Sequence, residues 1–387
     1  MKQGFYVFKK ITVLIVLLAF AFYYFQETKY TNKTILVGAS LPKTGIIKQW
    51  GLSVNAGANA YFKYVNDNKI LNDKEIKFIT YDDKYEPELT IQNIKKLIYQ
   101  DEVFALFGFV GTPTVKSILP IATDANIPFI APFTGASFLR EIKNKNFINF
   151  RSSYAQEIER LLVYLHERKG LDKIAVFYQN DNYGEEGYIA SLKALQRRNL
   201  QLVAEGTYKR NTLSISHAYR EIKDAKPQAV IMIGAYKANA LFIQKAKEDE
   251  NFKDTIFCNI SFGDANAMIK ELDNNTKNLI FSQVVPSYTD TSIEVIQQYQ
   301  TLMKQYYPEE QLGFISLEAF LAAKTVVKSL LRVQGELTKN KFLSKIKKLP
   351  PNVLKGLTLN YENSQLLNKV YLFEYKNNKF IEIQYDF

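Results

Sequence analysis

The feature that most constrains this chain is an alternation that begins at Ile35 and continues for most of its length. Short apolar runs, Ile35 to Leu41 first, take turns with longer amphipathic stretches such as Leu52 to Val65, whose apolar positions repeat near every 3.6 residues. Further strands are predicted at Ile76 to Tyr81, Val103 to Phe107, Pro128 to Ala131, Lys173 to Tyr178, Ala229 to Ile233, Thr255 to Asn259 and Asn278 to Val285. Strands separated by helices make parallel sheets covered on both faces, so the fold class is α/β. There are too many units for one sheet, and the run Phe147-Ile148-Asn149-Phe150-Arg151-Ser152-Ser153 reads as a connection between two α/β lobes. Helices at Ser292 to Tyr306 and Phe314 to Val333 follow. Gly356 to Leu359, Val370 to Tyr375 and Phe380 to Tyr385 then read as an antiparallel ending.

Composition bounds the class. The 387 residues, 47% hydrophobic and 23% charged, suffice for a full core in two to three domains of about 150 residues each. The formal net charge is +11, but lysines are scattered instead of gathered into an arm or stripe, which argues against a nucleic-acid partner. Cys258 is the single cysteine, so no intrachain disulfide and no cysteine-built metal cluster can form. At the amino terminus Lys2, Lys9 and Lys10 precede an apolar run from Val13 to Phe25, with the small-x-small pattern Ala19-Phe20-Ala21. Residues 1–25 are expected to be a signal peptide or an uncleaved anchor, placing the rest outside the cytoplasm.

The usual carriers of catalysis are sparse. His166 and His217 both sit in amphipathic stretches among charged residues, and neither a phosphate-cradling glycine motif nor a nucleophile elbow occurs. Asp82-Asp83, at a strand end, reads as turn formation and capping. Gly111-Thr112-Pro113-Thr114 follows a strand and opens a helix, with Thr112 expected at the cap; such an end suits either an anionic group or plain capping. Pro132-Phe133-Thr134-Gly135-Ala136 and Asn180-Asp181-Asn182-Tyr183-Gly184 also follow strands, at the edge where open α/β sheets bind ligands. Each serves as a ligand loop or as a tight turn.

Together these segments resemble the branched-chain-amino-acid-type substrate-binding proteins of ABC transporters, the type I periplasmic binding proteins. The resemblance spans nearly all of residues 34 to 385. It rests on Val37-Gly38-Ala39-Ser40-Leu41-Pro42 with Thr44-Gly45, on Tyr81-Asp82-Asp83-Lys84-Tyr85-Glu86-Pro87, on the three loops above, and on Ser316-Leu317-Glu318-Ala319-Phe320-Leu321-Ala322-Ala323. It implies two Rossmann-like lobes joined by three hinge crossings: residues 34–152 with 284–352, and 153–283 with 353–387. It implies no enzyme and no cofactor, but a monomer that closes on a small amino acid or carboxylate and presents it to an ABC permease in the inner membrane. By position, Trp50 resembles the aromatic wall, Thr112 the hydroxyl on the ligand carboxylate, and Thr134 and Gly135 the backbone clamp. Tyr183 and Tyr236 resemble the lid, and Phe314 the side-chain pocket.

One position departs from the family pattern. Where amino-acid binders carry an acid for the ligand ammonium, this chain has Ser261, followed by Phe262. A buried ammonium without a carboxylate partner is costly. Asp181 or Asp264 would have to substitute, or the ligand is a carboxylate without an α-amino group, or an amide. Two other readings use the same chain: a sensing module read by a membrane receptor, and a doubly wound enzyme, which requires a compact set of titratable groups in the cleft.

Overall fold

The computed structural model describes residues 33–141, 145–273 and 276–384. The expected signal segment therefore lies outside the described residues, and among the latter no helix is long and apolar enough to cross a membrane.

Among the described residues, twelve strands form two sheets. In the first, β1 (Thr34–Leu41) lies inside the order β2-β1-β3-β4-β5, with β2 (Glu75–Asp82), β3 (Ala105–Phe107), β4 (Phe129–Ile130) and β5 (Phe147–Ile148). Every pairing in it is parallel. The second sheet runs β12-β11-β10-β9-β8-β6-β7. Its parallel members are β6 (Ile174–Gln179), β7 (Ala204–Tyr208), β8 (Ala229–Ile233), β9 (Ile256–Asn259) and β10 (Leu279–Gln283). The hairpin of β11 (Tyr371–Lys376) and β12 (Lys379–Glu382) adds on antiparallel through β10. Central strands such as β8 are buried throughout, which is why they read as unbroken apolar runs.

Three predictions needed correction. Phe147-Ile148 is a strand and not only a connection, and β7 was not expected. Both are sheet edges: β5 pairs over two residues only, and β7 (Ala-Glu-Gly-Thr-Tyr) has no apolar run. Conversely, Gly356 to Leu359 forms no strand, only an isolated bridge between Leu354 and Leu357.

The chain passes between the sheets three times, at 149–153, 284–293 and 347–370. The first and third passages are hydrogen bonded: Asn149 N donates to Ser364 O at 2.7 Å and Leu367 N to Phe150 O at 2.8 Å. Between the second and third passages the helix Phe314–Leu330 crosses back over the first sheet, buried on nearly every side. It lies so close to the helix Lys48–Asp67 that a Cβ at Gly57 would fall 2.1 Å from the Ser316 carbonyl oxygen. Only glycine permits that contact. Glu318, the one acid within this apolar helix, thereby enters the interior and needs a partner.

Candidate functional site

The carboxyl ends of the parallel strands in the two sheets face each other across a seam. From the first sheet, β1 leads into the helix bearing Trp50, β2 into Tyr85, β3 into Gly111-Thr112 and β4 into Phe133-Thr134-Gly135. From the second, β6 leads into Asp181 and Tyr183, β8 into Tyr236, and β9 into Ser261 and Phe262.

Rings dominate the seam. Trp50 stacks on Phe262 with centroids 4.7 Å apart and donates its indole N–H to the Phe262 carbonyl at 3.2 Å. Phe133 meets the Trp50 face edge-on at 5.7 Å. Tyr183 packs 4.6 Å from Phe262 and 5.4 Å from Tyr154. All of these side chains are buried. Two glycines make room: at Gly111, with φ 102°, a Cβ would stand 2.2 Å from Tyr85 Cε2, and at Gly135 it would stand 2.5 Å from the Tyr154 ring.

The polar groups are arranged differently from expectation. Gly111 takes the cap position and Thr112 is the first helical residue. Its Oγ1 lies 2.7 Å from Thr134 Oγ1 and 3.4 Å from the Tyr154 hydroxyl, and Thr134 Oγ1 also accepts from Ala136 N at 3.2 Å. Ser261 is not beside an empty place. Its N–H and hydroxyl donate to the Glu157 carboxylate at 2.7 and 2.9 Å, and Ser282 donates at 2.6 Å. A buried carboxylate, that of Glu157, 104 positions away in sequence, thus lies against Ser261. Burial raises the Glu157 pKa, opposed by the Arg151 charge and these three donors.

Arg151 is fully buried and grips Glu318 through Nε and Nη2, both at 2.9 Å. Burial opposes its charge, but Glu318 more than compensates and holds its pKa above the ordinary arginine value. Its guanidinium carbon lies 5.7 Å from the Trp50 ring and 5.8 Å from Phe133. Of the two proposed substitute acids, Asp264 keeps Oδ2 unpaired, whereas Asp181 caps the helix Asn182–Gln196, takes Gln179 Nε2 at 2.7 Å and lies 3.5 Å from Arg210. Asp264 caps Ala267 N through Oδ1 at 3.1 Å, and burial pushes its pKa up to about 6.

The structure therefore gathers Trp50, Thr112, Thr134, Gly135 and Tyr183 on one seam, with Ser261 joined through Glu157. Tyr236 meets the Gln49 backbone across the same seam. Phe314 does not join them. Its ring packs with Tyr288, Phe373 and Phe380 at 5.0, 5.1 and 5.2 Å, in a separate aromatic cluster beside β11 and β12. Sequence reasoning missed Arg151, Glu157, Tyr85 and Tyr154 as seam residues. The signals were a lone arginine in the 147–153 connection and a lone acid, Glu318, in an apolar helix. Gln179 Nε2 reaches the Tyr85 hydroxyl at 3.3 Å in the interior, and toward solvent Arg210 bonds Glu86 at 2.9 Å and Asn211 bonds Glu86 at 2.7 Å. A cavity of about 790 Å³ opens there, lined from both sides by Pro113, Lys116, Asp181, Tyr188 and Arg210. His166 pairs with Asp172 and His217 with Glu221, both away from the seam.

This geometry, two parallel sheets meeting at their carboxyl edges with three passages between them, has counterparts among known proteins. The family model described as periplasmic binding protein matches residues 34–379. The chain belongs to the periplasmic binding protein family. The Leu/Ile/Val-binding protein homolog 7 of Brucella abortus (strain 2308) is 22% identical over 319 residues, 78% of each chain. The solved structure of a possible leucine/isoleucine/valine-binding protein from Rhodopirellula baltica SH 1 superimposes with a TM-score of 0.86 at 30% identity, covering 91% of this chain and 97% of that one. A substrate-binding periplasmic protein from Ralstonia solanacearum gives 0.84 at 24% identity, covering 90% and 100%. This periplasmic binding protein thus belongs to a family of extracytoplasmic binding proteins. Three titratable groups at its seam, Arg151, Glu157 and Glu318, are bonded to one another or to neighbouring serines.

Proposed function

We propose that this protein is the periplasmic solute receptor of an ABC importer, closing its two lobes on a small ligand with a carboxylate or amide head and an apolar body, and delivering it to a permease. One observation carries the reading: aromatic and hydroxyl side chains from the carboxyl edges of both sheets converge on one seam, at Trp50, Thr112, Thr134, Tyr183 and Phe262. A ligand held between two such edges couples binding to lobe closure, because only the closed arrangement satisfies contacts from both sides. The apolar walls favour an amino acid or related acid or amide with a hydrocarbon side chain over a sugar.

The test is a thermal-shift screen of the purified protein against amino acids, amides, and aliphatic and aromatic carboxylates. A ligand at 100 times its dissociation constant adds about 2.7 kcal/mol to stability, a readily measured shift. A well-folded protein that responds to none of these classes would refute the ligand assignment.

A further inference from the structure

Phe262 is the ring through which the two sides of the seam touch. It belongs to the short turn Ser261–Gly263 that follows β9, in the second sheet. Its ring nevertheless stacks on Trp50, which follows β1, with centroids 4.7 Å apart and planes at 25°, and tilts against Tyr85, which follows β2, at 6.2 Å. On its own side it packs 4.6 Å from Tyr183. Trp50, Tyr85, Tyr183 and Phe262 are each at most 1% exposed. Rings stacked at that distance are in van der Waals contact, so no third group fits between Trp50 and Phe262.

The backbone that carries the ring is tied at every step. Ser261 gives its N–H and hydroxyl to Glu157 at 2.7 and 2.9 Å, and the Phe262 carbonyl accepts the Trp50 indole N–H at 3.2 Å. Gly263 N donates to Ile260 O at 2.8 Å and Asp264 N to Ser261 O at 3.2 Å. Asp264 Oδ1 caps Ala267 N, while its Oδ2 stays unpaired. Behind the turn there is little room for retreat, since a Cβ at Gly263 would meet Met268 Cε at 3.2 Å and Asn239 Nδ2 at 3.3 Å.

We infer that Phe262 is the size-determining residue of the seam, covering with the protein's own ring the Trp50 face that the apolar body of a large ligand would need. The receptor therefore takes compact aliphatic ligands and refuses aromatic ones. This rests on the solute-receptor reading and deepens it by naming what limits the ligand. A ligand gains by removing apolar surface from water, but one that must first push aside a buried phenyl ring loses a comparable amount. A compact body lies beside the ring and keeps the whole gain. The pinned turn makes this limit a fixed wall, because the ring cannot withdraw without breaking the bonds to Glu157 and Trp50.

The experiment titrates wild type, Phe262→Leu and Phe262→Ala by calorimetry with L-alanine, L-leucine, L-phenylalanine, propanoate, 4-methylpentanoate and 3-phenylpropanoate. Wild type should prefer an aliphatic member of one series over its phenyl member by about tenfold or more, and Phe262→Ala should shift that ratio toward the phenyl member by a similar factor, with Phe262→Leu between them. The phenyl probe should also raise the melting temperature of Phe262→Ala more than that of wild type. Phe262→Leu, the milder truncation, carries the test alone if the alanine variant does not fold. Binding of the phenyl probe by the variants and by them alone would support the inference. A wild type that already prefers the phenyl member would overturn it, and so would an unchanged ratio in the variants, including a uniform loss for every probe; either leaves the receptor reading intact. Silence of all six probes with wild type and variants would remove the ligand class of that reading and this inference together.

Discussion

Two ion pairs hold this molecule at opposite depths. Arg151–Glu318 joins the first passage between the sheets to the apolar helix Phe314–Leu330, with side chains 1% and 4% exposed. Arg210–Glu86 bridges the two sheets near solvent, with side chains 23% and 39% exposed. The deep pair fastens the first passage to a helix packed over the first sheet, whereas the shallow pair spans residues that follow strands of different sheets. Depth thus separates a pair whose partners cannot be removed singly without burying a bare charge from one that water weakens.

The largest effect expected is on the deep pair. Glu318→Ala, leaving Arg151 buried without its carboxylate, should cost about 3 to 5 kcal/mol in urea unfolding. The double variant Arg151→Met with Glu318→Leu should recover most of that loss, since a well-packed apolar pair is often neutral. A double variant as unstable as the single one would show that geometry and not burial of charge sets the cost.

Asp264 sharpens the comparison, being buried with one oxygen unpaired. Its pKa, pushed up to about 6 from 3.8 by burial, means the folded state binds its proton more readily than the unfolded chain. The favourable contribution is therefore complete below about pH 3.8 and lost as pH rises through about 6. Asp264→Asn, which keeps the cap and tolerates the left-handed backbone at φ 51°, should stabilise by on the order of 2 kcal/mol at pH 8. Melting curves should show that gain vanish near pH 4; a gain independent of pH would deny the titration.

The smallest effect belongs to the shallow pair. Glu86→Gln should change stability by less than about 1 kcal/mol, and added salt should abolish the difference. A loss as large as that of Glu318→Ala would erase the distinction between the two pairs.

Most of the architecture was legible in sequence because central parallel strands bury both faces and leave apolar runs, as β8 and β10 do. β5, two residues long, and β7, without an apolar run, leave no such trace and were not seen. The seam was legible where loops follow strands, at Thr112, Thr134 and Tyr183, because that edge is fixed by topology. What could not be read were partners set by packing. Ser261 and Glu157 are 104 positions apart, and Arg151 and Glu318 167 apart, so no local spacing announces either pairing. Phe314 was misplaced for the same reason: its helix position was foreseen, but which cluster of rings would receive it depends on the β11–β12 hairpin.

The position of Trp50 has a practical consequence. It is the chain's single tryptophan, and its ring touches the opposite lobe through Phe262. The protein therefore carries an intrinsic optical probe at the one place where opening would wet an indole and expose its N–H to solvent. Emission excited at the tryptophan band comes from that site alone, so the lobe closure proposed above would be read from its wavelength in unlabelled protein and timed by stopped flow.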